Sequence, residues 1–225
     1  MIKPDYIIRS YRKTLCISIN KQGEVIVRAP KRLSLEHINK FLIEKEGWIK
    51  IKKQQMEILN AQNKSIYNNE KLLLLGVEYT REDVDGIKKI EWDSVNKKVF
   101  VPRKYNRAEF IKMASNQYIK QSKDIILDRV NYFSKLMALS YNSISLMNNK
   151  TRWGTCSKKG DLKFNWRISM LKPNTIDYLV IHELAHLVEF NHSKKFYKII
   201  ECIMPKYKTY SKDLKKNGYL LELFR

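Results

Sequence analysis

Histidine, cysteine and glycine are all scarce in this 225-residue chain, and each scarcity excludes something. There are three cysteines, Cys16, Cys156 and Cys202. An odd count with no C-x-x-C pairing argues against a disulfide framework or a cysteine-built zinc site, and a reducing, cytoplasmic setting is the expectation. Seven glycines and five prolines leave little material for flexible linkers or low-complexity tracts. No apolar run approaches the roughly 18–20 residues of a membrane-spanning helix, and Met1–Asp5 lacks the apolar core of a signal peptide. A membrane partner is not expected. There are four histidines, and His182, His186 and His192 fall within eleven residues.

Acidic residues are also few, 23 against 44 basic, for a net charge of +21. Such an excess raises the question of non-specific DNA association. The excess is spread along the chain, at +7 over residues 1–60, +5 over 61–149 and +9 over 150–225. Lysine outnumbers arginine threefold, whereas bidentate recognition of bases and phosphates favours arginine. A lysine-rich genome accounts for the charge as readily as a nucleic-acid partner does. Oligomeric state is not legible.

The pattern along the chain is mixed. Leu15, Ile17 and Ile19 alternate as a strand, Asn20–Gly23 has turn chemistry, and Val25 and Val27 alternate up to Pro30. Ser34 is a good N-cap for a single helix reaching about Leu59, weakened internally by Gly47. His37 lies in its first turn and reads as a surface residue. Short strands are expected at 72–75, 87–92 and 98–101, the last two joined by a polar turn at 93–97. Asn106 with Glu109 forms a capping-box pattern opening a long helix to about Leu139. Further strands are expected at 143–146, 151–156 and 162–169. In the last of these Leu162, Phe164, Trp166 and Ile168 share one face and Arg167 lies on the polar one. Pro173 suits the first position of a helix. Trp153 and Trp166 read as packing anchors and Cys156 as a small buried residue.

On that helix stands His182-Glu183-Leu184-Ala185-His186. Residues four apart lie one above the other on a helix face, about 6 Å along the axis, so two imidazoles can converge on one metal ion. Glu183 borders that face without competing as a ligand, the placement wanted of a general base. This is the H-E-x-x-H pattern of zinc hydrolases. A catalytic zinc needs a third protein ligand and an open position. The helix is expected to stop soon after Phe190, with Asn191 in the left-handed conformation and Ser193 capping the next helix. His192 sits in that turn as the expected third ligand, with Glu189 and Glu201 as alternatives. The spacing equals that of metzincins, but Glu189 stands where those enzymes turn on a glycine.

The strings Arg152-Trp153-Gly154-Thr155-Cys156-Ser157, Phe164-Asn165-Trp166-Arg167, Val180 to His186 and Asn191-His192-Ser193 with Phe196 closely resemble the YgjP-like metal-dependent hydrolases. These are a zincin-type group related to the SprT-like and WLM metallopeptidases. The likeness runs upstream through Val27–Pro30 and Lys45–Ile49 and downstream through Met204–Tyr207 and Leu214–Gly218. It implies one zinc ion held by His182, His186 and His192, with Glu183 as the catalytic carboxylate and a peptide or protein as substrate. The fold class expected is α+β. A zincin-like catalytic domain over 106–225, built from a long backing helix, a small β-sheet and the H-E-x-x-H helix, follows a β-rich region over 1–105 that carries one helix.

The group that stabilises the oxyanion is open among Arg152, Arg167, Tyr207 and Tyr210, although Arg167 serves equally well as a structural hydrogen-bond donor. The competing readings are a nucleic-acid-associated module with a structural zinc, which would need a fourth ligand, and a protease acting on DNA-bound proteins.

Overall fold

The computed structural model describes residues 3–20 and 22–224, so Met1, Ile2, the Lys21 of the expected turn and Arg225 lie outside it. Contacts divide the chain into two compact units, Met1–Asn68 and Asn69–Arg225.

The first unit is a three-stranded sheet with helices. Strands β1 (Tyr6–Ser10) and β2 (Cys16–Ile19) flank β3 (Val25–Pro30), β1 parallel and β2 antiparallel to it. Alternation along β3 buries Val25, Val27 and Ala29 completely. The single helix expected over 34–59 is two: α1 (Leu35–Glu44) and α2 (Glu46–Gln62), followed by the short α3 (Lys64–Tyr67). Ser34 caps α1 by accepting from the His37 amide, and His37 is exposed, as expected. The chain leaves helical geometry at Lys45 (φ −100°, ψ 7°). Ile49 of α2 thereby joins Ile38 and Leu42 of α1 on the β3 core. Gly47 consequently sits in a first turn rather than in a helix interior.

The second unit begins with a four-stranded sheet in the order β4-β5-β7-β6, made of β4 (Lys71–Leu74), β5 (Val77–Val84), β6 (Glu91–Asp93) and β7 (Lys98–Pro102). Leu75 (φ 52°) and Gly76 (φ 77°) make the two-residue turn between β4 and β5, the backbone that primed hairpin turns require. Their amides donate to the carbonyls of Ser169 (2.7 Å) and Met170 (3.1 Å). These bonds tie the sheet to the Trp166–Met170 turn within the second unit.

Helix α4 (Arg107–Leu136) carries the full capping box: the Asn106 side chain accepts from the Ala108 and Glu109 amides, and Glu109 accepts from the Asn106 amide. It buries one stripe, including Phe110, Ala114, Tyr118, Ile126 and Val130. It stops three residues before the expected end, at a reversal where Ala138 has φ 51°.

A second small sheet, ordered β8-β10-β9, comes next: β8 (Ser143–Met147) runs parallel and β9 (Gly154–Cys156) antiparallel to β10 (Asp161–Asn165). The strand expected to continue to Ser169 ends at Asn165, whose side chain caps a 3-10 helix, Trp166–Met170, by accepting from the Arg167 amide. Every residue of that turn is buried, the polar Arg167 and Ser169 included, so the two-faced strand pattern expected from the sequence does not apply there. Helix α5 (Pro173–Ala185) has Pro173 at its start and packs against α4 and against β9. It is buried on nearly all sides, from Ile176 to Ala185. Helices α6 (Lys194–Ile203) and α7 (Tyr207–Lys216) and a second 3-10 helix, Asn217–Glu222, complete the unit. Among the described residues no helix is long and apolar enough to cross a membrane.

Candidate metal centre

Helix α5 ends at Ala185, with His186 as a right-handed cap (φ −68°, ψ −17°), and not beyond Phe190. The amides of Leu187, Val188 and Glu189 fold back onto the carbonyls of Leu184 and Ala185. This tapering of the last turn needs no left-handed residue, and Asn191 has a negative φ. A short turn then brings His192 back to the helix end, and Ser193 caps α6 by accepting from the Phe196 amide.

Three imidazoles meet as a result. The ring centroids of His182, His186 and His192 lie 4.8–5.1 Å apart, with potential donor atoms all within 4.8 Å of one another. His182 Nε2 and His192 Nε2 are 3.2 Å apart. Two nitrogens on a tetrahedral zinc at Zn–N of about 2.0–2.1 Å would be separated by about 3.3 Å, so the spacing suits that ion. His186 Nδ1 lies 3.1 Å from the Glu189 carbonyl, a bond that needs the proton on Nδ1 and turns the Nε2 lone pair to the other imidazoles. Phe196, fully buried, is the floor: its ring is 4.9, 4.5 and 4.8 Å from His182, His186 and His192.

Burial dominates the electrostatics. It lowers His182 to about 3, helped by the positive charge His186 and His192 would carry if protonated. His186 is lowered mainly by burial too, against the opposing Glu189 hydrogen bond. Neutral imidazoles are the metal-binding form. Glu183, 4% exposed, is pushed up to about 8 by burial. A carboxyl so placed takes a proton readily, and a cation among the imidazoles would favour its ionised form.

Gly154, first residue of β9, backs this carboxylate. A Cβ there would collide with Glu183 Oε1, Cδ and Cγ. Sequence reasoning assigns Gly154 no role, because the contact is long-range and its only local signal is the glycine itself. Tyr178, one turn before His182 on α5, is likewise silent in the sequence. Its ring centre is 5.8 Å from that of His182, and burial raises its phenol against a hydrogen bond with Ser211.

The oxyanion candidates separate. Arg167 is fully buried and donates to the Leu223 carbonyl from Nε (2.8 Å) and Nη2 (2.5 Å), which is a structural use. Tyr210 lines a surface pocket with Lys172, Pro173 and Asp213 at the opposite end of α5. Tyr207 is buried behind Tyr197, stacked on it at 5.8 Å, and Tyr197 in turn neighbours His192. Arg152 is exposed in the loop leading to Gly154. Of the alternative ligands, Glu189 accepts from the Asn191 amide and Glu201 is exposed on α6; neither joins the imidazole group.

Three imidazoles so grouped could hold a metal ion, and comparison with known proteins gives the family. The sequence matches the YgjP-like metallopeptidase domain over residues 13–217. The chain belongs to that family of metal-dependent peptidases. No curated protein matches it in sequence. Among solved structures, the metallopeptidase zymogen abylysin of Pyrococcus abyssi is similar over 40% of this chain and 90% of its own, at 21% identity and a TM-score of 0.37.

Proposed function

We propose that the chain is a zinc peptidase in which His182, His186 and His192 hold one zinc ion and Glu183 is the general base, the catalytic chemistry lying within 106–225. The observation that carries this reading is the convergence of three imidazoles beside a buried carboxyl that is not one of them. A bound zinc supplies Lewis acidity for the attacking water and the scissile carbonyl. Glu183 takes the proton of the attacking water and returns it to the leaving amine. Gly154 leaves room for its carboxylate and holds it on one side, while the Glu189 carbonyl fixes the ring of His186. Strand β9 is the edge of its sheet and packs on α5. Its outer backbone groups can hold an extended peptide by main-chain hydrogen bonds. Arg152, just before β9 and exposed, is kept as the oxyanion candidate because Arg167 is engaged on the Leu223 carbonyl and Tyr210 lies at the other end of α5.

Against a structural zinc stands the donor count: among the described residues no cysteine or carboxylate completes a fourth position, and His192 is exposed. The discriminating experiment is Glu183→Gln. Zinc content should stay at one per chain and hydrolysis of an unstructured protein such as β-casein should fall at least a hundredfold. Full activity in this variant, or zinc with four protein ligands by X-ray absorption, sinks the reading.

One observation favours DNA as a further partner. Lys208, Lys212, Lys215 and Lys216 are all exposed and recur at helical spacing along α7, as a phosphate-contacting stripe would. Affinity for duplex DNA should then fall steeply with salt, and replacing these lysines by glutamine should flatten the slope. An unchanged slope removes the reading.

A further inference from the structure

The 148–154 loop has no secondary structure until Gly154, yet its last residue walls the Glu183 carboxylate. What holds it is a chain of bonds. The Asn165 side chain donates from Nδ2 to the carbonyls of Asn149 (2.7 Å) and Arg152 (3.3 Å), and the Asn165 amide donates to the Trp153 carbonyl (2.7 Å). Three carbonyls of the loop are thus gathered on one residue, buried at the end of β10.

An asparagine amide can present either end. This one is kept with its nitrogen toward the loop because its oxygen accepts from Arg167, from the main-chain amide at 3.2 Å and from Nη1 at 3.4 Å. Arg167 also reaches the loop directly, Nη1 to Asn148 Oδ1 at 2.8 Å. The guanidinium lies 3.9 Å over the Trp166 ring, and its remaining edge grips the Leu223 carbonyl through two nitrogens. Leu223 is buried, and the Phe224 ring beyond it packs against Phe110, Tyr118 and Trp166. One fully buried cation therefore joins the segment at Leu223–Phe224, the cap of the 3-10 turn and the loop that ends on Glu183.

We propose that Arg167 is a positioning residue for the reaction: anchored on the Leu223 carbonyl, it sets the 148–154 loop through Asn148 and Asn165, and through Gly154 it sets the place of the Glu183 carboxylate. The proposal rests on Glu183 as the base. It gives a function to an arginine that never reaches substrate, and it makes Leu223–Phe224 part of the active site's framework though neither residue is near the imidazoles in sequence. Misplacing a catalytic group by about 1 Å costs up to a hundredfold in rate, so a small movement of the loop is enough to be read kinetically.

Asn148 is the place to test it, because its residue is exposed and truncating it leaves the buried core intact. In the zinc-loaded protein, Asn148→Ala should lower kcat on β-casein about tenfold, an effect of the size expected for partial misplacement. KM, zinc content and Tm should stay near those of the parent, and amide exchange at Trp153–Thr155 should quicken. Asn148→Asp, which keeps an acceptor for the guanidinium, should restore both kcat and protection. Unchanged kcat and exchange in Asn148→Ala overturn the proposal. So does loss of zinc in step with kcat, or failure of Asn148→Asp to restore. If the parent protein itself hydrolyses nothing, the assignment of Glu183 fails, and the exchange rates alone then decide whether Arg167 and Asn148 hold the loop.

Discussion

Gly154 lies against Glu183 so closely that a single methyl group on it would overlap the glutamate carboxylate. The strand edge and helix α5 are therefore fitted to one another at the very group proposed as base. Gly154→Ala is expected to keep its zinc, since no imidazole is touched, and to lose about ten- to a hundredfold in kcat as Glu183 is pushed aside. Metal analysis beside casein kinetics measures this. Unaltered kcat would mean that Glu183 has room the structure does not give it.

Phe196 contacts all three imidazoles from below. Phe196→Ala should cost about 3–5 kcal/mol of stability, the usual range for emptying a buried phenylalanine site. It should also weaken zinc binding about 10–100-fold, as loss of support around metal ligands does. Urea denaturation and competition with a chelating dye read the two effects separately. Removing the metal from the parent should abolish activity but leave α5 folded, because the helix is held by the buried apolar side chains of Ile176, Leu179, Val180 and Leu184, none of them a proposed ligand. Circular dichroism after chelation checks this.

Asp161 accepts from Ser143 Oγ (2.7 Å), Asn142 Nδ2 (2.6 Å) and Ser157 Oγ (2.9 Å). These bonds, Ser143 foremost, hold its pKa below the ordinary value of 3.8. A carboxylate with a lowered folded-state pKa contributes stability above its unfolded pKa and loses it as pH falls through the folded one. Asp161→Asn should thus be less stable than the parent at neutral pH, and the gap should close as pH drops below about 4. Denaturation midpoints across pH 7 to 3 test the sign. A gap that widens on acidification refutes it.

Cys156 is raised to about 11 by burial, with the nearby charges of Glu183 and Asp161 adding to it. Little thiolate forms there at pH 8, and the thiolate is the reactive form. Iodoacetamide should therefore label the exposed Cys16 and Cys202 well before Cys156. Mass spectrometry over a labelling time course decides it.

Much of the second unit could be read from local chemistry. Asn106 with Glu109, Pro173, and Ser193 with Phe196 are all signals confined to four consecutive residues, and all stand where expected. The three histidines were visible because helical spacing fixes the first two and the chain has so few others. What stayed hidden depends on partners far away. Strand β5 (Val-Glu-Tyr-Thr-Arg-Glu-Asp-Val) is too polar to stand out, and it is held by pairing with β4 and β7. The end of β10 is set by Asn165 turning to cap rather than by any change in hydrophobic period. The apolar recurrence over 35–56 continues across Lys45, so Gly47 is the one local sign of a break there, and it reads as a weakening rather than an end. Arg167 falls on a polar strand face only if the strand alternation is carried four residues past its end at Asn165, to Ser169.

Helix α5 carries the proposed base and His182, with His186 as its cap, on an element that has almost no solvent face from Ile176 onward. Most substitutions of the buried positions between Ile176 and Ala185 would disturb packing as well as chemistry. Specificity in this protein is therefore more free to change along β9, the loop before it and the exposed faces of α6 and α7 than on the helix that carries the proposed base.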